Sequence, residues 1–178
     1  LEHRGQAPAV RESAYIAPTA TVCGDVTVGK NACVLFGAVV TADGGPVEIG
    51  ADSIVMEQAV VRGTPAHPLT IGDNVLVGPR AYLTGCTIED AVFLATGCSV
   101  FNGATISRGC EVRINATVHI KSVVSAGSVV PIGWVAVGDP AECFPPGEHE
   151  AIWERQKPID FPTAVFGLDR DALEDMMP

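Results

Sequence analysis

Four histidines (His3, His67, His119 and His149) and six cysteines are the residues of this 178-residue chain best suited to proton transfer, metal binding or nucleophilic attack. Their spacing forms no metal motif. No Cys-x-x-Cys pair exists, so a structural zinc site is not expected. Nor do the six thiols, though even in number, form a disulfide framework. Cys98 and Cys110 fall at small inward positions of a repeat, where a free thiol acts as a compact hydrophobe, and Cys86 falls at a turn. Cys23, Cys33 and Cys143 stay open as reactive thiols, although nothing visible in the sequence activates them. His67 sits in Pro65-Ala66-His67-Pro68. His119, second in Val118-His119-Ile120, should point outward. Either imidazole could act as a general base. His3 and His149 read as surface residues, and convergence of two or more histidines from different subunits on a metal stays open.

The elements that must position these groups are set by a six-residue rhythm. From Val22 to about Val137 an aliphatic residue returns at every sixth position, often followed by Gly or an acid, with a small residue four places on. Val28-Gly29-Lys30-Asn31-Ala32-Cys33 and Ile71-Gly72-Asp73-Asn74-Val75-Leu76 are two such hexads, and the series runs on through Ile88, Leu94, Val100, Ile106, Val112, Val118 and Val124 to Val130. This period predicts a parallel β-helix in which a hexad is one short strand plus a turn and three hexads make a coil. About six coils fit between Val22 and Val137. A β-sandwich would instead show strict alternation with turn signals every 8–12 residues. The expected organisation is a lead over 1–15, an all-β solenoid over 16–141, and a tail over 142–178 with one or two short helices at Glu148–Gln156 and Leu168–Met176. Loops at Ala42–Pro46 and Gly63–Pro68 interrupt the repeat, and such insertions often build a site.

Composition narrows the function classes. A net charge of −10 argues against nucleic-acid binding through a basic surface. Apolar residues make up 47% of the chain but aromatics only 6%, which suits a thin solenoid interior. No apolar run approaches a membrane span and the first residues show no apolar signal region, so a cytoplasmic location is expected.

From Ile16 to Ala141 the chain resembles the γ-class carbonic anhydrases and their hexapeptide-repeat relatives. The resemblance is carried by Ile16-Ala17-Pro18-Thr19-Ala20-Thr21-Val22, by Ile71 to Gly78, and by Gly85-Cys86-Thr87-Ile88. Val137-Gly138-Asp139-Pro140-Ala141 is similar to the exit shared with hexapeptide acyltransferases. It implies a left-handed β-helix and a homotrimer with metal sites between subunits. There three neutral imidazoles hold Zn²⁺ and leave one position for a water whose pKa falls to about 7. The positions of this chain that match those histidines carry Arg62, Pro79 and Thr84. The family's Arg-Gly-Asp turn reads Thr41-Ala42-Asp43, and its Gln-Asp pair reads Met56-Glu57. A shift of one residue would put Arg80 in the place of Pro79 and still supply no ligand.

The resemblance therefore implies a homotrimer without the zinc site and without CO₂ hydration, whose inter-subunit cleft takes a small anion or supports altered chemistry. Arg62 would offer its planar fork to a carboxylate or phosphate, Thr84 a hydroxyl and Glu57 a base. Asp43, Met56, Pro79, Arg80, Tyr82 and Asn102 would line the cleft. Neither a resident cofactor nor a zinc ion is expected. Three alternatives stay open: an acyltransferase with acyl-CoA between subunits and His67 or His119 as base, carbonic anhydrase activity through non-standard ligands, and a cleft that is only a subunit interface.

Overall fold

The computed structural model describes residues 1–158 and 169. Each hexad forms a strand of two to four residues, and the strands stack into three sheets of seven, seven and eight strands, parallel except for the last edge strand of the third. The chain visits the sheets in rotation, so Ile88 pairs with Ile106, and Ile106 with Val124, one coil apart. The result is a parallel β-helix, as the period predicted, and a left-handed one, as the resemblance implied.

The interior follows from the hexad. Its first residues, among them Val28, Val34, Val40, Val61, Val77, Leu83, Ile88 and Leu94, are fully buried. The small fifth residues Ala32, Ala38, Ala59, Cys98 and Cys110 fill the space under the corners. At the corners the backbone turns through positive φ, at Asn31 (56°), Asp52 (55°) and Asn74 (56°). Asn and Asp tolerate that region because their short side chains can bond locally, and this explains the polar punctuation of the repeat.

The solenoid has about seven coils rather than six, because it starts earlier than the hexads suggest. Ala9 and Val10 pair with Thr27 and Val28, and Tyr15 and Ile16 with Cys33 and Val34, so the first coil begins inside the expected lead. Arg11-Glu12-Ser13 interrupts the aliphatic rhythm there. At the other end Ala141–Phe144 folds back antiparallel on Val135–Gly138 and occupies the edge of the third sheet, a common way to keep an open edge from pairing with another chain. The solenoid unit accordingly runs to Pro145, past the expected boundary at 141. The second unit, 146–178, contains the helix His149–Gln156, which buries none of its residues. The second expected helix, Leu168–Met176, lies outside the described residues. Among the described residues no helix is long and apolar enough to cross a membrane.

Candidate functional site

The polar groups of interest gather where the third sheet meets its two loops. In Val39–Ala42 and Val60–Gly63 the strands are four residues long, so each carries an outward side chain beyond the inward valine. Register places Thr41 beside Arg62 and Arg62 beside Thr84, making one outward column with steps of about 4.8 Å between strands.

Arg62 donates to the Asp43 carboxylate at 2.5 Å, and Arg4 approaches the other oxygen of Asp43 at 3.4 Å. The hydrogen bond from Arg62 holds the Asp43 carboxyl below the usual range, against a smaller opposing effect of burial. The same bond raises Arg62, with a further contribution from Tyr82. Both partners are substantially exposed, so the pair fixes geometry more than it stabilises the fold. Beside it, His3, Cys23, Thr41 and Ala42 join Asp43 and Arg62 around a cavity of about 220 Å³.

One coil further on, Thr84 is 6% exposed and donates to Asn102 Oδ1 at 2.9 Å. The ring of Tyr82 lies 6.1 Å from that of Phe101, tilted by 56°. His67 is brought to this coil by its own loop, closed by paired backbone bonds between Thr64 and His67 of 2.9 and 3.0 Å. Gly85 makes the approach possible. A Cβ there would lie 2.5 Å from the His67 Cβ and 2.8 Å from Asn102 Oδ1. His67, Thr84 and Asn102 are thus neighbours.

The structure does not bring the other expected residues to this place within one chain. Met56, Glu57, Pro79 and Arg80 sit at the corner that precedes the third-sheet strands, whereas Arg62 and Thr84 sit at their far ends. There the Glu57 carbonyl accepts from the Arg80 N–H at 3.0 Å, and the Pro79 carbonyl accepts from Gly97 at 2.9 Å. Arg80 takes the left-handed corner conformation, φ 57°. Proline cannot adopt it, so the order Pro79-Arg80 is fixed by the turn, and no shift of Arg80 into the place of Pro79 fits. Glu57 is not the partner of Arg62, which pairs with Asp43 of its own chain.

His119 departs from expectation. It lies outside the aliphatic core column, yet it is only 7% exposed, and its Nδ1 is buried without a hydrogen-bond partner. Burial pushes its pKa down. A general base of this kind needs one nitrogen held as N–H by an acceptor so that the other stays basic. Nothing within the described residues does this for His119. Phe101 was not among the expected residues. Its place two positions before Gly103, like that of Leu83 before Gly85, was the only sequence signal available.

These features define the class: a hexapeptide-repeat β-helix with a polar, loop-framed strip on one sheet. No protein-family model matches the chain. Over 95 residues it is 36% identical to the mitochondrial gamma carbonic anhydrase 1 of Arabidopsis thaliana, a match covering 50% of this chain and 34% of that protein. The chain thus spans about a third of that relative's length. A crystal structure of a candidate acetyltransferase from Bacillus cereus is 29% identical, with a TM-score of 0.59, over 89% of this chain and 90% of its own. A hexapeptide transferase family protein from Anaplasma phagocytophilum is 27% identical, with a TM-score of 0.59, over 88% and 89%. The chain is a hexapeptide-repeat β-helix similar to γ-carbonic anhydrases over half of its length and to hexapeptide transferase family proteins over most of it.

Proposed function

We propose that this chain is the subunit of a γ-carbonic-anhydrase-like homotrimer that has given up zinc-dependent CO₂ hydration and binds a small anion in the cleft between subunits. The observation that carries this reading is Arg62, which stands in register between Thr41 and Thr84; the resemblance puts metal-binding histidines at Arg62 and Thr84, and a third at Pro79. A zinc ion does not fit these residues. A guanidinium cannot lose its proton, proline has no donor atom in its side chain, and a buried threonine hydroxyl is a poor ligand. The nearest carboxylate, Asp43, already faces Arg62 and Arg4. Among the described residues no group of three or more His, Cys, Asp and Glu side chains is placed to hold a metal.

Arg62 has five donors, and the structure commits one of them to Asp43. Those left over, with the half-buried Tyr82 alongside, suit a carboxylate. In a homotrimer the corner carrying Met56, Glu57, Pro79 and Arg80 would close the cleft from the neighbouring subunit. Glu57 would then be available as a base there, Asp43 being paired with Arg62 and Arg4. The test combines native mass spectrometry, metal analysis and CO₂ hydration on protein purified without chelator, with acetate titrated by calorimetry. The expected result is a trimer with substoichiometric metal, no CO₂ hydration even with added Zn²⁺, and acetate binding weakened in Arg62→Ala. One metal per chain with CO₂ hydration overturns the first part, and unchanged acetate affinity in Arg62→Ala overturns the second.

The acyltransferase alternative rests on the two structural relatives that cover nearly the whole chain. It would use His67, whose imidazole is half-buried beside Thr84 and Asn102, in preference to the unsupported His119. Binding of acetyl-CoA that is lost in His67→Ala would favour it.

A further inference from the structure

Arg62 shares its charge with Asp43, whereas two donor groups one to three coils further along have no such partner. Among the described residues, the side chains of His67 and Lys121 make no hydrogen bond or ion pair. Both converge on Gly103, which has φ 73° and no side chain to separate them. A Cβ at Gly103 would lie 3.1 Å from Lys121 Cγ, 3.5 Å from His67 Cε1 and 3.6 Å from His67 Nδ1. Asn102 completes the group. Its Oδ1 is taken by the Thr84 hydroxyl, and its NH₂, with two N–H donors, has no hydrogen-bond partner among the described residues. The Asn102 carbonyl also receives the Lys121 N–H at 3.0 Å, which fixes the backbone of the two residues together.

The loop carrying His67 is held in place, and the cluster is not neutralised. Gly85 seats the His67 loop, the Thr64–His67 bridge closes it, and no carboxylate among the described residues reaches His67 or Lys121. In a chain of net charge −10, three converging donor side chains without an acid are unusual. An ammonium, an imidazole N–H and an amide NH₂ match the oxygens of a phosphate or carboxylate.

We propose that His67, Asn102 and Lys121 form an anion subsite distinct from the Arg62–Asp43 pair. The subsite deepens the small-anion reading above and rests on it for the ligand class. Arg62 and Asn102 belong to coils two apart, roughly 10 Å at the spacing of adjacent strands. The two places together fit a ligand with anionic groups at both ends.

The experiment titrates inorganic phosphate, and in a parallel arm succinate, into the full chain by calorimetry at low salt, with Lys121→Gln, His67→Gln, Lys121→Arg and Arg62→Ala alongside. Wild type is expected to bind. Lys121→Gln and His67→Gln should each weaken phosphate roughly tenfold, the scale of one charge-assisted hydrogen bond. Lys121→Arg should retain binding, and Arg62→Ala should weaken succinate more than phosphate. If phosphate is the stronger ligand in Lys121-dependent binding, the subsite takes phosphate groups; if succinate is, it takes carboxylates. Phosphate binding that responds to Arg62→Ala and not to Lys121→Gln overturns the subsite and leaves the Arg62 cleft standing. Lys121-dependent phosphate binding with unchanged acetate affinity in Arg62→Ala does the reverse. Absence of any phosphate or succinate binding by wild type overturns the subsite outright.

Discussion

Replacing His119 by leucine should make this protein more stable. In the wild type Nδ1 lies buried with no partner, and the residue is 7% exposed. A buried nitrogen stripped of water without a replacement bond costs about 1–3 kcal/mol. Leucine removes that atom and keeps an apolar side chain of similar size, at some cost in imperfect fit. The net expectation is a gain of about 1 kcal/mol, or roughly 2–4 °C in Tm for a domain of this size. The pH dependence separates this from a generic packing gain. Burial lowers the His119 pKa in the folded state, so the unfolded chain binds the proton more readily. Stability should therefore be full above the unfolded value of about 6.5 and fall as pH drops below it, by about 1.4 kcal/mol for each unit of depression. In His119→Leu that contribution disappears. The assay is thermal unfolding by circular dichroism at fixed protein concentration from pH 8 to pH 5, on both proteins. A leucine variant less stable than wild type at pH 8, or a wild-type stability whose fall below pH 6.5 survives the substitution, would refute the reasoning. The first result would mean that leucine fits the site worse than the imidazole does, and the second that other groups set the pH dependence.

Two further outcomes test the packing of the site. Gly85→Ala places a Cβ 2.5 Å from that of His67 at a backbone φ of 49°. It should cost about 1–3 kcal/mol by overpacking and should open the 63–68 loop to limited proteolysis; a variant with wild-type Tm and protease resistance would show that His67 is not seated there. In thiol titration with a disulfide reagent on native protein, Cys23, Cys33 and Cys143 should react, whereas Cys86, Cys98 and Cys110, all buried, should not. Desolvation raises the Cys86 thiol strongly and pushes Cys98 up to about 12. Fast modification of Cys98 would contradict the packed interior.

The fold was legible because one physical constraint repeats. A narrow three-sided interior accepts an aliphatic residue on each face and a small one beside each corner. That demand writes itself into the sequence every six residues, from Val28 to Val130. Legibility failed where the constraint lapses. The first coil, with Arg11-Glu12-Ser13 between its strands, reads as a polar lead, and the strand Ala141–Phe144 reads as a tail because it joins the sheet edge antiparallel and owes nothing to the hexad.

The site was legible only by position. The hexad places Thr41, Arg62 and Thr84 in one column, because residues at equal phase must stack. Partners are another matter. That Arg62 turns to Asp43 and not to Glu57 depends on the loop after Ala42, which carries no period. That His119 is covered while Lys121, two residues on, is free depends on the corner geometry that gives Lys121 a φ of 57°. The repeat fixes the phase of each side chain, and the loops decide which of those side chains meet. Histidine in the sequence therefore pointed to His119 and His67 alike, whereas the glycines at 85 and 103 discriminate between them. Between these two, only His67 sits where glycines at 85 and 103 leave room for it, and a function that needs an accessible imidazole beside Thr84 and Asn102 has His67 to use rather than the covered His119.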